Sequence, residues 1–106
     1  FVLDDVPVSQ VDKLPGRGEI RVHEQFGGAS RPVPLDDDAA AVAVAAMKEV
    51  AALLDVTLDY GRVDLMEYDG RLVVSELELI EPGLYLDVLP ANAEPFADLV
   101  AARLAR

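Results

Sequence analysis

Apolar and polar residues alternate along two stretches in the second half of the chain, residues 60–67 and 72–80. A period of two is typical of strands that bury one face against a core. The pair Asp69-Gly70 lies between the stretches, and this dipeptide is common in tight hairpin turns. The pattern therefore predicts a β-hairpin in this part of the chain.

Two other stretches repeat apolar residues at the spacing of amphipathic helices. The first follows Asp36, whose carboxylate is suited to cap a helix that runs to about Leu54. The second follows Asn92, which is expected to cap it. The positions expected to be buried are Val42, Ala46, Val50 and Leu53 in the first helix and Phe96, Leu99, Val100 and Leu104 in the second.

The first third of the chain predicts shorter strands. Residues 1–5 and 7–13 are expected to form two strands joined near Asp5-Val6, and residues 19–26 to form a third. Gly27-Gly28 is expected to end that strand. The whole chain of 106 residues is interpreted as one α+β domain, an antiparallel sheet with helices packed on one side.

Charge and composition restrict the partners. The formal net charge is −11, from 20 acidic and 9 basic residues. Nucleic acids and anionic membranes bind basic surfaces, so neither partner is expected. Cysteine is absent, which excludes disulfides and thiolate ligands. With no membrane span or signal peptide in the pattern, a cytoplasmic location is expected. A homo-oligomer is left open, and because the chain begins at Phe1, we interpret it as part of a longer protein.

Charged residues interrupt the apolar strands of the predicted hairpin. Arg62 and Asp64 share one face of the first strand, and Glu76 and Glu78 share one face of the second, because residues two apart point the same way. Carboxylates among apolar residues suggest a hard divalent cation, Mg²⁺ or Mn²⁺. The alternative is a solvated sheet face, which is the commoner reason for alternating glutamates. The spacing leaves both interpretations open.

The register of the hairpin separates these interpretations. A plain two-residue turn would pair Asp64 with Ser75 and leave Asp64 on the face opposite Glu76. A three-residue turn would pair Asp64 with Val74 and Arg62 with Glu76, so that the charged groups share one face. The metal hypothesis therefore predicts the three-residue turn or an equivalent bulge.

Several short motifs, taken in order, extend this picture. They are Lys13, Gly18-Glu19-Ile20-Arg21-Val22-His23, Phe26-Gly27-Gly28, Arg62-x-Asp64, Ser75-Glu76-Leu77-Glu78 and Glu81-Pro82-Gly83. Their order and spacing resemble the C-terminal, metal-binding part of ATP-grasp enzymes. The branch that they resemble contains the ATP-binding domain of glutathione synthetase and the enzymes that modify ribosomal protein S6. The resemblance covers about residues 1–82.

The resemblance implies that the chain is the second half of an ATP-grasp fold. The parent would then be an ATP-dependent carboxylate–amine or carboxylate–thiol ligase that forms an acyl phosphate from ATP and a small carboxylate or peptide. By the same resemblance, Asp64, Glu76 and Glu78 would hold Mg²⁺ or Mn²⁺. Glu78 stands where the family pattern has asparagine.

The resemblance also implies roles for the basic residues and the glycines. Arg21 and Arg62 would act in catalysis, and Lys13, Arg21, Gly27 and Gly28 would bind the nucleotide. The ATP-binding lysines of the family would precede Phe1, so the chain alone is expected to be inactive. Two alternatives remain, a degenerate ATP-grasp module and an unrelated acidic interaction domain, both without catalysis.

Overall fold

The computed structural model describes residues 1–21 and 27–106. In this part of the chain the strands and helices are β1 (Val2–Leu3), β2 (Val6–Pro7), β3 (Gln10–Leu14), β4 (Ala29–Val33), α1 (Asp37–Leu54), β5 (Tyr60–Tyr68), β6 (Arg71–Glu78) and α2 (Ala93–Leu104). Antiparallel pairing forms a four-stranded sheet, β2-β1-β5-β6, and a two-stranded sheet, β3-β4. The predicted α+β class, with antiparallel sheets and helices packed against them, is confirmed.

Helix α1 begins where the sequence predicts. The Asp36 carboxylate accepts a hydrogen bond of 2.8 Å from the Ala39 amide, which satisfies one of the free donors at the helix start. The buried side of the helix is one position away from the prediction, because Ala43 and Met47 are its buried residues. Leu53, expected in the core, is 82% exposed.

The position of the core explains this difference. Val2, Ala43 and Met47 form its buried centre. A Cβ on Gly61 would lie 2.7 Å from Met47 Sδ, so the absence of a side chain on β5 makes the space that the methionine fills. The contact that orients α1 is therefore set by a glycine elsewhere in the chain.

Helix α2 is less buried than predicted. Leu99 is buried, and the Phe96 ring contacts the Tyr60 ring edge to face at 4.9 Å between centroids. Val100 and Leu104 are exposed, which contradicts their assignment to the core. Asn92 lies at the helix start, but its side chain does not cap the helix. It is buried and bonds elsewhere, as described below.

The first strands also differ from the prediction. The turn between β1 and β2 is formed by Asp4 and Asp5, one residue earlier than expected, and both have positive φ. This conformation suits tight hairpins and is tolerated by aspartate. The predicted strand 7–13 is divided into β2 and β3.

The region of the predicted third strand is only partly described. Residues 19–21 are not in a strand, and residues 22–26 lie outside the described residues. The glycine pair is followed at once by β4, which starts at Ala29 and pairs with β3 along its length.

An ion-pair cluster, termed here the α2 triad, connects the end of α2 to the sheet. Arg103 donates to Asp4 at 2.7 Å and forms a second ion pair with Asp59. These bonds raise the pKa of Arg103, chiefly through Asp59. Neither helix that the structure describes has the length and hydrophobicity of a membrane-spanning segment.

Candidate functional site

A bulge in the β5–β6 hairpin determines which charged residues face one another. Asp69 and Gly70 form a two-residue turn, so the predicted three-residue turn is wrong. The register shifts between Asp64 and Leu65, and Ser75 is the extra residue on β6. The Ser75 hydroxyl donates to the Asp64 carbonyl at 3.0 Å. The metal hypothesis predicts either a three-residue turn or a bulge with the same effect, and the hairpin contains the bulge.

The bulge produces pairs different from those predicted. Asp64 lies opposite Glu76, and Arg62 lies opposite Glu78, whereas Val74 lies opposite Leu65. The predicted pairs of Asp64 with Val74 and of Arg62 with Glu76 are wrong. Because directly opposed residues in an antiparallel pair share a face, these four residues, Arg62, Asp64, Glu76 and Glu78, still lie on one side of the sheet.

Arg62, Asp64, Glu78 and Lys13, all predicted site residues, form one network of ion pairs. Arg62 donates to Asp64 Oδ1 at 2.8 Å and to Oδ2 at 3.1 Å, and it also pairs with Glu78. Lys13 Nζ, from β3, lies 2.5 Å from Asp64 Oδ2. We call Lys13, Arg62, Asp64 and Glu78 the charged cluster. It joins the two-stranded sheet to the hairpin.

Burial and charge act against each other in the charged cluster. Arg62 is 8% exposed, an unusual position for a guanidinium. Burial opposes the charged form of Asp64, but the hydrogen bonds from Arg62 and then Lys13 outweigh it and hold the pKa of Asp64 below its usual value. Burial would lower the pKa of Arg62, yet its bonds to Asp64 raise it. Both groups are therefore charged at neutral pH.

Tyr85 adds an aromatic wall to the charged cluster. Its ring centroid lies 5.3 Å from the Arg62 guanidinium carbon and 5.8 Å from Lys13 Nζ, within the range of cation–π contacts. The Tyr85 ring also contacts the Phe1 ring edge to face, at 5.6 Å between centroids. The two cations lie on β3 and β5, and nothing in the segment around Tyr85 signals these contacts.

The position of Tyr85 depends on Asn92. The Asn92 amide donates to the Leu84 carbonyl at 2.8 Å, and its oxygen accepts from the Ser9 hydroxyl at 2.5 Å. The backbone at Tyr85 has a positive φ of 53°, and its carbonyl accepts from the amides of Val88 and Leu89. This compact turn places the ring beside the charged cluster. Its one local sign in the amino-acid pattern is a polar residue, Asn92, before a helix.

The carboxylates suit a hard metal in their chemistry but not in their present arrangement. Among residues 1–21 and 27–106, no three acidic or histidine side chains form a group that could hold a metal ion. Asp64 is already bound by two cations, and Glu78 by one. Glu76 lies opposite Asp64 in register and is exposed. Binding of a divalent ion by all three would therefore require Lys13 or Arg62 to move.

The other predicted site residues lie on the segments that flank the undescribed residues. Arg21 is exposed, and its guanidinium donates to the Glu19 carboxylate at 3.0 and 2.6 Å, as does its backbone amide at 3.0 Å. These bonds lower the pKa of Glu19 to about 2. Gly27 has φ of 80° in a turn, and Gly28 follows it directly before β4. A glycine at positive φ fits the expected loop.

A groove of about 600 Å³ lies beside the charged cluster. One wall is β3 and the opposite wall is the middle of β5. Small residues at the start of α1, including Ala39, Ala40 and Ala43, form part of the lining. Lys13, Arg62 and Asp64 also line it. The groove thus has both apolar and charged surface.

Comparison with known proteins gives one informative similarity. The chain is 47% identical to the cycloserine biosynthesis protein DcsG of Streptomyces lavendulae over 72 residues. The match covers 65% of this chain and 24% of that protein, so the chain spans only part of the length of its relative. No family model matches the chain, and no solved structure matches it significantly.

Proposed function

We propose that the chain is the metal- and phosphate-binding part of an ATP-dependent ligase that joins a carboxylate to an amine or thiol through an acyl phosphate. The observation that carries the proposal is the bulge at Ser75. It places Asp64 opposite Glu76 and Arg62 opposite Glu78, as a shared metal and phosphate face requires. Without the bulge, Asp64 and Glu76 would lie on opposite faces.

Two further observations support this proposal. The motifs that resemble the C-terminal part of ATP-grasp enzymes occur in the same order over most of the chain. The similarity to a protein of cycloserine biosynthesis favours a small carboxylate rather than a macromolecule as the substrate. The parent enzyme would contain the charged cluster as one wall of its site.

In this proposal the cations and carboxylates have separate tasks. Lys13 and Arg62 bind phosphate oxygens, for which both are chemically suited. Their present partners keep them on the correct face while phosphate is absent. Arg21 binds the transferred phosphoryl group, and Gly27 and Gly28 let the backbone approach it. Mg²⁺ held by Asp64, Glu76 and Glu78 would neutralise phosphate charge.

Substitution of Glu76 in the intact parent enzyme tests this assignment. Glu76→Gln keeps the size of an exposed side chain, so we expect unchanged folding but an ATP turnover lower by a factor of about 100 or more. Glu67→Gln is the matched control, because Glu67 is also exposed on the same hairpin but lies opposite Leu72. Equal turnover in the two variants would contradict the assignment.

The ion pairs of Asp64 with both Lys13 and Arg62 favour a second candidate function. Because Lys13 and Arg62 already neutralise Asp64 and Glu78, the charged cluster is complete without metal or phosphate. This is what a degenerate ATP-grasp module or an acidic interaction domain would contain. Calorimetric titration of the intact parent with Mg²⁺ and a non-hydrolysable ATP analogue separates the two. Binding that is lost in Glu76→Gln supports the ligase, and no binding supports the second candidate.

A further inference from the structure

The middle of β5 has an open edge on the side of β1. The short strand β1 pairs only with Tyr60 and Gly61, whereas β5 continues to Tyr68. On its other side, β5 is paired with β6 from Arg62 onward. In the described part of the chain, no strand continues β1 along residues 62–68 of β5. A long unpaired edge inside a fold is unusual, because its amides and carbonyls lack partners.

The backbone directions show which groups are unpaired. The Asp59 carbonyl accepts from the Asp4 amide, so Asp59 points its backbone groups toward β1. Because alternate residues of a strand point to the same edge, Val63 and Leu65 also point toward the open side. Asp64, whose carbonyl accepts from Ser75, points toward β6. The open edge therefore offers the amides and carbonyls of Val63 and Leu65.

The opposite wall of the groove is also a strand edge. Strand β3 pairs with β4 on one side, and all of its residues line the groove. Phe1, the residue before β1, is already bonded next to this wall, since its amino group donates to the carbonyl of Ser9, the residue before β3, at 2.9 Å. The Phe1 carbonyl accepts from the Val8 amide, also at 2.9 Å. Phe1 thus stands at one end of the groove, between the two walls.

We propose that this groove holds a β-strand, formed by the residues joined to the amino end of Phe1 in a longer parent protein. Such residues would continue β1 in a straight line between β3 and β5. The strand would satisfy both open edges and merge the two sheets into one. It is the occupant favoured by geometry, because it needs no turn and uses hydrogen bonds that already begin at Phe1.

The pairing register determines which positions of this strand should be apolar. Val2 lies opposite Gly61, so the residue before Phe1 would lie opposite Val63 and the third residue before it opposite Leu65. Val63 packs against the core of α1 and β1. Because opposed residues share a face, these two positions should be apolar. The second position before Phe1 would lie opposite Asp64, on the face of the charged cluster.

Amide hydrogen exchange in the intact parent protein tests the proposal without a substitution. We expect the amides of Val63 and Leu65 to exchange as slowly, within about tenfold, as that of Met66, which points toward β6 and is the internal control. Exchange about 100-fold or more faster than that of Met66 would show an open edge and overturn the proposal.

Nuclear Overhauser contacts in the same protein identify the occupant. The proposal requires contacts between the Val63 amide and the residue before Phe1. Contacts from Val63 to any other segment, or to a second copy in a mixed-label dimer, would overturn it. A charged residue at the first position before Phe1 would do so as well. These outcomes do not depend on ATP or metal binding, so the proposal fails separately from the ligase function.

Discussion

Within residues 1–21 and 27–106, Arg62 and Arg103 each bridge two carboxylates, and the surroundings of the two ion-pair sites differ. Arg62 joins Asp64 and Glu78 in the charged cluster, and Arg103 joins Asp4 and Asp59 in the α2 triad. The Arg62 and Arg103 side chains are 10% and 20% exposed, but the carboxylates of the charged cluster are 16% and 34% exposed and those of the α2 triad 47% and 64%. The two sites therefore differ chiefly in how far water reaches the carboxylates.

The surroundings of the two arginines suggest different tasks. The charged cluster has a second cation in Lys13, an aromatic wall in Tyr85 and an adjacent groove. The α2 triad joins the end of a helix to a turn and to the residue before β5, and none of its three residues lines the groove beside the charged cluster. A buried ion pair is poor evidence for stability alone. The comparison therefore suggests a binding role for Arg62 and a structural role for Arg103.

Removal of each arginine should produce the largest contrast. Arg62→Met leaves the Asp64 and Glu78 carboxylates without their shared partner, and we expect a loss of about 2 kcal/mol in the free energy of unfolding. Arg103→Met leaves well-solvated carboxylates, so a much smaller loss is expected. Urea denaturation followed by circular dichroism measures both. Equal losses would show that burial does not distinguish the two sites.

Asn92 is the next test, because it supports only one of the two regions. Asn92→Ala leaves the Leu84 carbonyl without its donor and Ser9 without its acceptor, which should lower the free energy of unfolding by about 1–2 kcal/mol. The ring of Tyr85 should also become mobile beside Arg62. Near-ultraviolet circular dichroism of the tyrosines reports this motion. An unchanged tyrosine signal would show that Asn92 does not position Tyr85.

These differences show what the sequence could and could not predict. Helix α1, its Asp36 cap and the Asp69-Gly70 turn depend on neighbouring residues, and they are where the pattern predicts them. The bulge depends on how two strands fit together, so counting residues in steps of two predicted the wrong pairs. Its trace in the sequence is Ser75, a small polar residue that follows three apolar ones on β6.

In the candidate site, too, contacts within the hairpin were easier to predict than contacts between distant segments. The metal hypothesis places Arg62, Asp64, Glu76 and Glu78 on one face of the hairpin. Ion pairs join Arg62 to Asp64 and Glu78, whereas Glu76 lies opposite Asp64 and is exposed. The contact of Lys13 with Asp64 joins residues far apart in sequence, and spacing could not predict it. The placement of Tyr85 depends on a turn held by Asn92. Tertiary contacts of this kind leave no local pattern.

The pH dependence of stability provides a third, smaller contrast. The folded-state pKa of Asp64 lies below its usual value near 3.9, so its ion pairs stabilise the fold above about pH 4, and this contribution is lost as the pH falls through the lowered pKa. Asp64→Asn should therefore be less stable than the unmodified chain at pH 7, with a difference that shrinks toward about pH 2. Urea midpoints across this range measure it. A constant difference would contradict the assigned cause.

Salt should have the smallest effect and should separate the two arginines once more. At about 1 M salt the screening length falls to about 3 Å, which weakens exposed ion pairs more than buried ones. Asp4→Asn removes an exposed member of the α2 triad, so its small destabilisation should disappear in 1 M sodium chloride. The loss in Arg62→Met should persist, because it comes from carboxylates that are partly removed from water. If the stability loss of Arg62→Met also disappears in salt, water reaches the charged cluster freely. The ion pairs of the two arginines would then be equally screened.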